Sequence, residues 1–428
     1  MAMLTLLPEL PERARALPAA EPLIARLGDA TGVYLVGGAV RDLLLGGAPI
    51  DLDLAVEGDA AAFAASLGGH LKVHDRFGTS TVTLDGFTYD IARTRRETYA
   101  QPGALPDVEP APLAEDLHRR DFTVNAIALA LAGESAGELA AAPGALEDLE
   151  AGRLRVLHDG SFTDDPTRLL RLVRYATRLG FEIESHTRAL ADRAIAGGAL
   201  GTVSGPRIGA ELRLLSREPD AIRAFRGLRD LGVDTAIHPG FGVDDDDVAR
   251  RALALLPDDG RPGVLTLALA ARGVPAPELT ALLNSLAFEA EDRDGIVATA
   301  TRAGEVARAL QAAGAPSAIA DAARGAPLEL VAVAGALGPE RQARDWLERL
   351  RHVRLSIDGG DLLAAGVPEG PAVGRGLRAA LAAKLDGATG GREQELAEAL
   401  AGAGGPGGAA GGPGGTAGRP GAPGGGPE

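Results

Sequence analysis

The chain has 428 residues and a formal net charge of −16, and 46% of the residues are hydrophobic. This length and composition predict several folded domains rather than a disordered chain. The sequence has no cysteine, which excludes disulfides, thiolate metal sites and a cysteine nucleophile. It shows neither a signal-peptide pattern nor a long apolar run, so we expect a cytoplasmic protein with no membrane contact.

The negative charge does not exclude a nucleic-acid partner, because phosphate binding depends on local basic patches rather than on whole-chain charge. Part of the acidic excess lies in two short runs, Asp244 to Asp247 and Asp258 to Asp259, which are typical of solvated loops. The cations are almost all arginine. A single arginine is therefore informative only through its position.

Short apolar strands alternate with glycines and helical segments over residues 32–130. A strand at Val33 to Val36 leads into Gly37 and Gly38, and a short helix follows. Further strands are predicted at Ile50 to Val56, Leu71 to His74, Thr79 to Leu84 and Thr88 to Arg93, and an apolar helix at Phe122 to Leu131. The pattern predicts an α+β head over residues 1–152, with a small, mainly antiparallel sheet and helices on one side.

From about residue 153 the pattern is helical as far as about residue 400. The clearest helix is amphipathic, runs from Asp165 to Leu179 and ends at Gly180. We divide this part into a neck at 153–218, a body at 219–300 and a tail at 301–401. Residues 402–428 are mostly Gly, Pro and Ala, so no apolar face can form there and we expect disorder.

The first strand and its surroundings carry the strongest chemical signal. A strand that passes through paired glycines into a helix lets backbone N–H groups approach a phosphate closely. Arg41 adds a fork-shaped cation suited to phosphate oxygens. Asp51 and Asp53 are two apart on a predicted strand, so both carboxylates leave one face and suit a pair of divalent cations.

Each part of this pattern has an ordinary alternative. Paired glycines are usually only a turn, and Asp-x-Asp is usually a solvated strand face. It is the joint occurrence of both in a strand–turn–helix–strand frame that favours function. The motif is neither a dinucleotide fingerprint nor a P-loop, because the Gly-x-Gly-x-x-Gly and Gly-Lys-Ser/Thr patterns are absent.

The segment from Gly37 to Asp42, with Asp51 and Asp53, resembles the first motif of class II tRNA nucleotidyltransferases and bacterial poly(A) polymerases. Further stretches resemble that family in the expected order, and Ser204 to Leu212 matches a fifth motif more loosely. The other three resembling stretches are Arg119 to Ala126, Gly144 to Leu149 and Asp164 to Arg168. Asp164 departs from the glutamate usual there. The resemblance covers roughly residues 33–215.

The resemblance implies a polymerase-beta-like head and a template-free enzyme that adds C, C and A to tRNA 3′ ends from CTP and ATP. It implies two Mg²⁺ ions, with Asp51 and Asp53 as catalytic and metal-binding carboxylates. Asp90 is our candidate for a third metal carboxylate, against the alternative of a simple strand-face charge. The expected nucleotide-binding residues are Gly37, Gly38, Arg41, Arg120, Asp121, Asn125, Asp165, Arg168, Arg171 and Arg174.

The residues themselves also suggest how the base of the nucleotide is chosen. If Asp165 and Arg168 lie three apart on one helix, their side chains emerge on one face. Cytosine and adenine both present an amino donor beside an unprotonated ring nitrogen, which matches a carboxylate beside a guanidinium. Uracil and guanine present their donor and acceptor in the reverse order, so they do not match this pair. The ordinary alternative is a surface ion pair.

Several related activities remain open at this stage. The enzyme adds the whole CCA end, only the final A, or a poly(A) tail; a non-catalytic RNA-binding protein is a fourth, less favoured reading. A CC-only enzyme is the least expected tRNA activity, because enzymes limited to CC are reported to have a shortened loop where Glu97 to Leu117 is continuous here.

Overall fold

The computed structural model describes residues 9–74 and 78–404. The chain divides into two compact units, Met1–Ala303 and Gly304–Glu428, and each is described by itself. None of the helices in the described ranges is long and apolar enough to cross a membrane.

The first unit is built around a mixed β-sheet. Its described strands are β1 Val33–Val36, β2 Leu52–Val56, β3 His70–His74, β4 Thr79–Leu84, β5 Phe87–Arg93, β6 Arg95–Thr98, β7 Asp107–Pro110, β8 Ile127–Ala130, β9 Leu139–Ala141, β10 Arg153–Leu154 and β11 Glu182–Ile183. Seven of these form one sheet in the order β3-β4-β5-β2-β1-β8-β9. Its pairs are antiparallel except for β2 and β5, which run parallel. An α+β head with a mainly antiparallel sheet is thus confirmed.

Helices alternate with the strands in the first part of the unit, and the later part of the unit is helical. The described α-helices are α1 Leu10–Arg15, α2 Ala20–Ile24, α3 Gly38–Leu44, α4 Ala60–Ser66, α5 Leu113–His118, α6 Ala145–Glu150, α7 Ser161–Asp164, α8 Arg168–Leu179, α9 Ser185–Ala196, α10 Gly205–Leu215, α11 Ala221–Leu231, α12 Val233–Ile237, α13 Asp246–Leu255, α14 Pro262–Ala270, α15 Ala276–Ser285 and α16 Ala290–Ala312. The last of these spans the division between the units. The predicted order, an α+β head followed by a mainly helical region, is confirmed, and its boundary near residue 153 stays a prediction.

The central strands are the most buried part of the sheet. All residues of β8 are buried, and β1 lies between β2 and β8. The apolar run Val33 to Val36 suits this position, because β-branched and large aliphatic side chains pack well on a pleated surface. This rigid centre carries the glycines that follow β1 and the carboxylates on β2 and β5.

The predicted helix from Phe122 to Leu131 is wrong. Thr123–Asn125 form a single 3-10 turn, and β8 follows at once. A short, fully apolar run has no periodicity that separates a buried helix from a buried strand. Pairing with β1 on one side and β9 on the other decides the outcome for the strand.

The predicted helix from Asp165 to Leu179 begins later than expected. Asp165 has extended backbone angles (φ −132°, ψ 91°), and α8 starts at Arg168. The residue before a proline avoids the helical region, and Pro166 follows Asp165. Asp165 and Arg168 therefore do not share a helix, which corrects that part of the sequence argument. The helix ends as predicted at Gly180, with φ +68°.

Two other predicted boundaries shift in ways that affect the site. Strand β2 begins at Leu52, so Asp51 lies just before the strand rather than within it. The polar stretch Arg96 to Pro112, whose sequence predicts a long mobile loop, is also more ordered than that. Its two ends pair as the antiparallel strands β6 and β7, which leaves Tyr99 to Pro106 as the connection.

The second unit is helical in its described part. After the end of α16 it contains α17 Pro316–Ala322, α18 Leu328–Ala336, α19 Glu340–Glu348, α20 Gly359–Ala364, α21 Pro371–Leu385 and α22 Arg392–Ala403. A small core joins α20, α21 and α22 through Leu362, Ala380 and Ala399. The predicted disordered segment starts too early, because Gly402 and Ala403 belong to α22; the rest of it, from 405, lies outside the described residues. The finer division into neck, body and tail stays a prediction.

Candidate active site

The glycine pair forms the turn between β1 and α3. Gly37 has φ +67° and ψ −130°, a conformation that favours glycine because a side chain is strained there. A Cβ on Gly37 would also lie 3.1 Å from Nη1 of Arg120. Gly37 therefore lets the strand end turn tightly beneath the Arg120 guanidinium.

Two carboxylates, Asp53 and Asp90, lie near this turn, and the charge of a third, Asp51, acts on Asp53. Asp53 on β2 and Asp90 on β5 are direct partners in the parallel pairing, so their side chains are neighbours. Asp53 is open to solvent, yet the surrounding protein removes enough water to raise the pKa of its carboxyl, and the charge of Asp90 raises it further. The Arg120 cation lowers this pKa, and the Asp51 charge raises it. Negative charge is thus concentrated around Asp53.

These carboxylates suit a hard divalent cation that is also bound by substrate. Among the described residues, no group of three His, Cys, Asp or Glu side chains is close enough to hold a metal ion alone. Mg²⁺ usually takes one or two protein carboxylates and completes its shell with water and substrate phosphates. Loss of water and the neighbouring Asp90 carboxylate, which raise the Asp53 pKa, both disfavour its negative charge, and a bound cation would offset this. The donor set therefore fits Mg²⁺ held jointly with a triphosphate.

The second motif forms a buried network next to the carboxylates. The Asp121 carboxylate accepts hydrogen bonds from Asn125 Nδ2 at 2.9 Å and from Arg171 Nη2 at 2.6 Å. Burial alone would raise the Asp121 pKa, but the Arg171 cation and these hydrogen bonds lower it to about 2. Asn125 also accepts from the buried Arg41, with Nη1 to Oδ1 at 2.6 Å. These contacts fix the floor of the site.

Arg120 has a guanidinium that is only partly satisfied by the protein. Its Nη2 donates to Asp116 Oδ2 at 2.9 Å, and Nη1 lies 3.5 Å from the carbonyl oxygen of Asn125. Its Nε is buried and has no hydrogen-bond partner among the described residues. A buried donor without a partner costs roughly 1–3 kcal/mol, which a bound anion would recover.

Asp165 and Arg168 are held from several sides although they do not share a helix. Arg168 is buried and donates to Ser161 Oγ and to the carbonyl oxygen of Arg119, both at 2.7 Å. Asp165 accepts from the Thr167 hydroxyl at 2.6 Å and pairs with Arg207 at 2.7 Å. Both side chains are thereby held in defined orientations.

The two arginines on α8, Arg171 and Arg174, have different surroundings. Arg171 pairs with Asp121 and, through Nη1, with Glu211 at 3.2 Å. Arg174 pairs with Glu211 at 3.3 Å and lies over the Tyr175 ring, 4.8 Å from its centroid. The contacts with Glu211 and Tyr175 keep Arg174 within the packing between α8 and α10.

A cavity of about 720 Å³ joins these groups. Most of the predicted residues line it: Gly37, Gly38, Asp53, Asp90, Arg120, Asp121, Asn125, Asp165, Arg168 and Arg171. Asp51, Arg41 and Arg174 are not among its described lining residues. Asp51 acts on Asp53 by charge, and Arg41 and Arg174 contact residues next to the cavity without lining it.

Sequence reasoning missed several residues that complete the site. Tyr99, Asp116, Arg119 and Tyr175 also line the cavity, and Arg207 and Glu211 hold its arginines and carboxylates. Arg207 and Glu211 lie within the stretch that resembles the fifth motif, which was the available signal. Arg119 begins the stretch that resembles the second motif, Tyr99 and Asp116 lie in the segment from Glu97 to Leu117, and Tyr175 follows Arg174 without a pattern of its own.

Comparisons with known proteins agree with this geometry. Residues 33–155 match the family model of the poly A polymerase head domain. A CC-adding tRNA nucleotidyltransferase from Deinococcus radiodurans is 36% identical over 360 residues, which cover 83% of this chain and 85% of that protein. The chain belongs to the tRNA nucleotidyltransferase family. The resemblance drawn from the motifs is confirmed, and so is the polymerase-beta-like fold of the head.

Other members of the family match over different lengths. An A-adding tRNA nucleotidyltransferase from Geobacter sulfurreducens is 45% identical over 212 residues, 48% of this chain. The chain spans only 24% of that relative's length. The solved structure of a CCA-adding enzyme with CTP has 29% identity and a TM-score of 0.76, and covers 94% of this chain and 98% of the other. The family's fold thus extends over the helical region as well as the head.

Proposed function

We propose that the protein is a template-free nucleotidyltransferase that adds C, C and A to the 3′ end of tRNA from CTP and ATP. One observation carries the proposal. A single cavity is lined by the paired carboxylates Asp53 and Asp90 and by the base-selecting pair Asp165 and Arg168. A nucleotide in that cavity has its phosphates and its base next to groups of matching chemistry. Such an enzyme acts where tRNA matures, so the proposal includes a cytoplasmic location.

Asp51, Asp53 and Asp90 are the residues that would hold magnesium. When bound there with a nucleotide, Mg²⁺ supplies activation of the RNA 3′ hydroxyl and neutralises the charge on the departing pyrophosphate. The chain's own contribution is to keep Asp53 and Asp90 on adjacent parallel strands, with Asp51 just before the first of these strands. Thr81 also donates to Asp90 Oδ1 at 2.7 Å, which restricts that side chain.

Arg120 and Arg171 are placed to bind the triphosphate. Both line the cavity, and Arg120 has a buried Nε that no described group satisfies. The Arg171 guanidinium is anchored by Asp121 and Glu211, so it can present positive charge without moving. Fixed donors stabilise developing negative charge better than donors that must reorganise.

Base choice follows from the order of donors and acceptors. The Asp165 carboxylate accepts from the amino group of cytosine or adenine, and the Arg168 guanidinium donates to the adjacent ring nitrogen. Uracil would place a carbonyl oxygen against the carboxylate and an N–H against the guanidinium. Each buried mismatch of this kind costs about 1–3 kcal/mol, which is enough to reject the wrong base.

The relatives support tRNA as the substrate and also set the alternatives. The names of the matched proteins include A-adding and CC-adding tRNA nucleotidyltransferases, and the head model is that of poly A polymerase. Addition of A alone, addition of CC alone and poly(A) synthesis are therefore the rival activities.

The proposal is tested by incorporation of labelled CTP, ATP, UTP and GTP, with and without Mg²⁺. The acceptors are a tRNA lacking CCA and an oligoadenylate of equal 3′ hydroxyl concentration. We expect Mg²⁺-dependent incorporation of C and A into the tRNA only. Long A tracts on oligoadenylate would identify a poly(A) polymerase. Binding of tRNA without any incorporation would identify a non-catalytic RNA-binding protein.

A further inference from the structure

The Asp165 carboxylate is held unevenly by its surroundings. Its Oδ1 accepts from the Thr167 backbone N–H at 3.0 Å and from the Thr167 hydroxyl at 2.6 Å. The same oxygen pairs with Arg207 Nη2 at 2.7 Å. Over the described part of the chain, these hydrogen bonds and this ion pair all reach Oδ1. They leave Oδ2 as the oxygen available to a base in the cavity that Asp165 lines.

Thr167 and Arg207 restrain the carboxylate in different ways. Thr167 is only two residues from Asp165 and forms a local turn that moves together with it. Arg207 lies on another element, α10, and ties the carboxylate to a fixed point outside that turn. Only the second contact can resist a rotation of the whole turn relative to the cavity.

Arg207 is itself anchored. Its Nη1 donates to the carbonyl oxygen of Gly103 at 3.0 Å, so the two ends of one guanidinium hold two separate segments. Helix α10 is fixed by close packing, since a Cβ on Gly205 or Gly209 would clash with the backbone carbonyls of Ser285 and Leu286. These glycines are four residues apart and therefore lie on one face of α10.

We propose that Arg207 is a positioning residue for base choice. It holds Oδ1 of Asp165 so that Oδ2 faces the amino group of the incoming base. The inference rests on the proposed function, because it assumes that Asp165 reads the base. A planar fork suits the task better than an ammonium, because its two ends can bind Asp165 and the Gly103 carbonyl at once in a fixed geometry.

The test compares kcat/KM for CTP, ATP, UTP and GTP on a tRNA that lacks CCA. The variants are Arg207→Ala and Arg207→Lys, with the exposed Arg217→Ala as the control of equal charge change. We expect Arg207→Ala to lower the CTP-to-UTP ratio roughly ten- to a hundredfold, because small misplacements of aligned groups are costly. Arg207→Lys should recover part of this ratio, and Arg217→Ala should keep the wild-type ratio.

Several outcomes would overturn the inference. If Arg207→Ala slows all four nucleotides by one common factor, Arg207 serves packing and not base choice. Equal ratios in Arg207→Ala and the wild type would lead to the same conclusion. Thermal melting of each variant shows whether a lowered rate comes from unfolding.

Failure of the proposed function is recognised separately. In that case the wild type incorporates neither C nor A. Calorimetric binding of CTP and UTP to the wild type and to Arg207→Ala still decides the role of Arg207. A preference for CTP that the variant loses supports the inference, and an unchanged preference contradicts it.

Discussion

At the scale of single residues, the crowded carboxylate Asp53 gives a test of metal binding that does not depend on catalysis. A raised carboxyl pKa means that the folded protein disfavours the charged form, so ionised Asp53 opposes folding above that pKa. Asp53→Asn should therefore raise Tm slightly at pH 7 in the presence of a chelator; the effect is small because the side chain is open to solvent. It should also abolish nucleotide addition.

The decisive measurement for Asp53 is the change in Tm on adding Mg²⁺. A cation that binds the folded state raises Tm, and we expect this rise in the wild type but not in Asp53→Asn. Asp29→Asn removes the same charge at an exposed turn and should behave like the wild type. An undiminished rise in Asp53→Asn would remove this residue from the metal site.

The lowered pKa of Asp121 predicts the opposite effect of ionisation on folding stability. Its pKa is lowered to about 2, so its ionised form stabilises the folded state. That contribution is complete above the unfolded pKa near 4 and is lost as pH falls towards about 2. We expect Asp121→Asn to cost about 2 kcal/mol of unfolding free energy at pH 7 and to flatten the acid limb of the stability curve. Chemical denaturation at several pH values measures both. A wild-type acid slope in the variant would contradict the assignment.

Single residues also show where sequence reasoning reaches its limit. Asp51 and Asp53 are visible because they are two apart beside paired glycines, and Asp165 and Arg168 because they are three apart in an ordered set of motifs. The pair Arg207–Asp165 joins residues 42 positions apart on different elements. No local periodicity reports such a contact, and the loose resemblance at Ser204 to Leu212 does not say which residue Arg207 contacts.

At the scale of elements, the connection between β6 and β7 is attached to the helical region by backbone contacts. Gly103 donates its N–H to the Thr163 carbonyl oxygen at 3.2 Å, and its own carbonyl accepts from Arg207. A Cβ at Gly103 would clash with the hydroxyl and backbone of Thr202. Glycine at this position therefore lets the connection approach the segments that carry Asp165 and Arg168.

Gly103→Ala should displace this connection without disturbing the sheet. We expect lower rates of addition and a changed ratio of CTP to ATP use. Gly68→Ala is the matched control, because Gly68 has φ +72° against +71° at Gly103, yet nothing lies within 4 Å of its Cβ position. Both variants carry the same backbone strain. If both alter nucleotide use equally, strain rather than the Thr202 clash is the cause.

The same scale explains which elements the sequence could reveal. Strands β3 and β4 were predictable from alternation and β-branched residues, and α8 from its amphipathic face and its terminal glycine. The segment Phe122 to Leu131 was not, because its state depends on pairing with β1 and β9, and this tertiary contact overrides a local pattern. The hairpin of β6 and β7 is similar, since polar strands that pair only with each other resemble a loop.

At the scale of the whole molecule, the carboxyl end offers a sharp boundary test. Helix α22 contributes the buried Glu395, which pairs with Lys384 at 2.6 Å and accepts from the Ser356 N–H at 2.6 Å. Truncation after Gly404 should leave Tm and the rate of addition unchanged. Truncation after Gly391 removes α22 and should destabilise the second unit, because it leaves Lys384 without this partner and exposes the small core around Leu362. Equal Tm values for the two truncated forms would contradict the prediction that α22 stabilises the second unit.

The extent of addition is the property of the whole molecule that matters most. The CC-adding relative from Deinococcus radiodurans matches 83% of this chain, whereas the A-adding relative from Geobacter sulfurreducens matches 48% of it. Overall similarity therefore does not decide among the activities. The segment from Glu97 to Leu117, with its hairpin and its attachment at Gly103, is where the family resemblance places the loop that is shortened in CC-only enzymes. Because this segment is continuous here, we predict complete CCA addition.

Three tRNA substrates separate the possibilities in one experiment: one ending at the discriminator base, one carrying C and one carrying CC. Each is incubated with CTP, with ATP and with both, and the products are resolved at single-nucleotide length. We expect all three to be extended to CCA when both nucleotides are present, and the CC-ended substrate to gain one A from ATP alone. Extension of only the CC-ended substrate would show an A-adding enzyme. Arrest of every product at CC would show a CC-adding enzyme, and would mean that the segment from Glu97 to Leu117 does not set the switch from C to A.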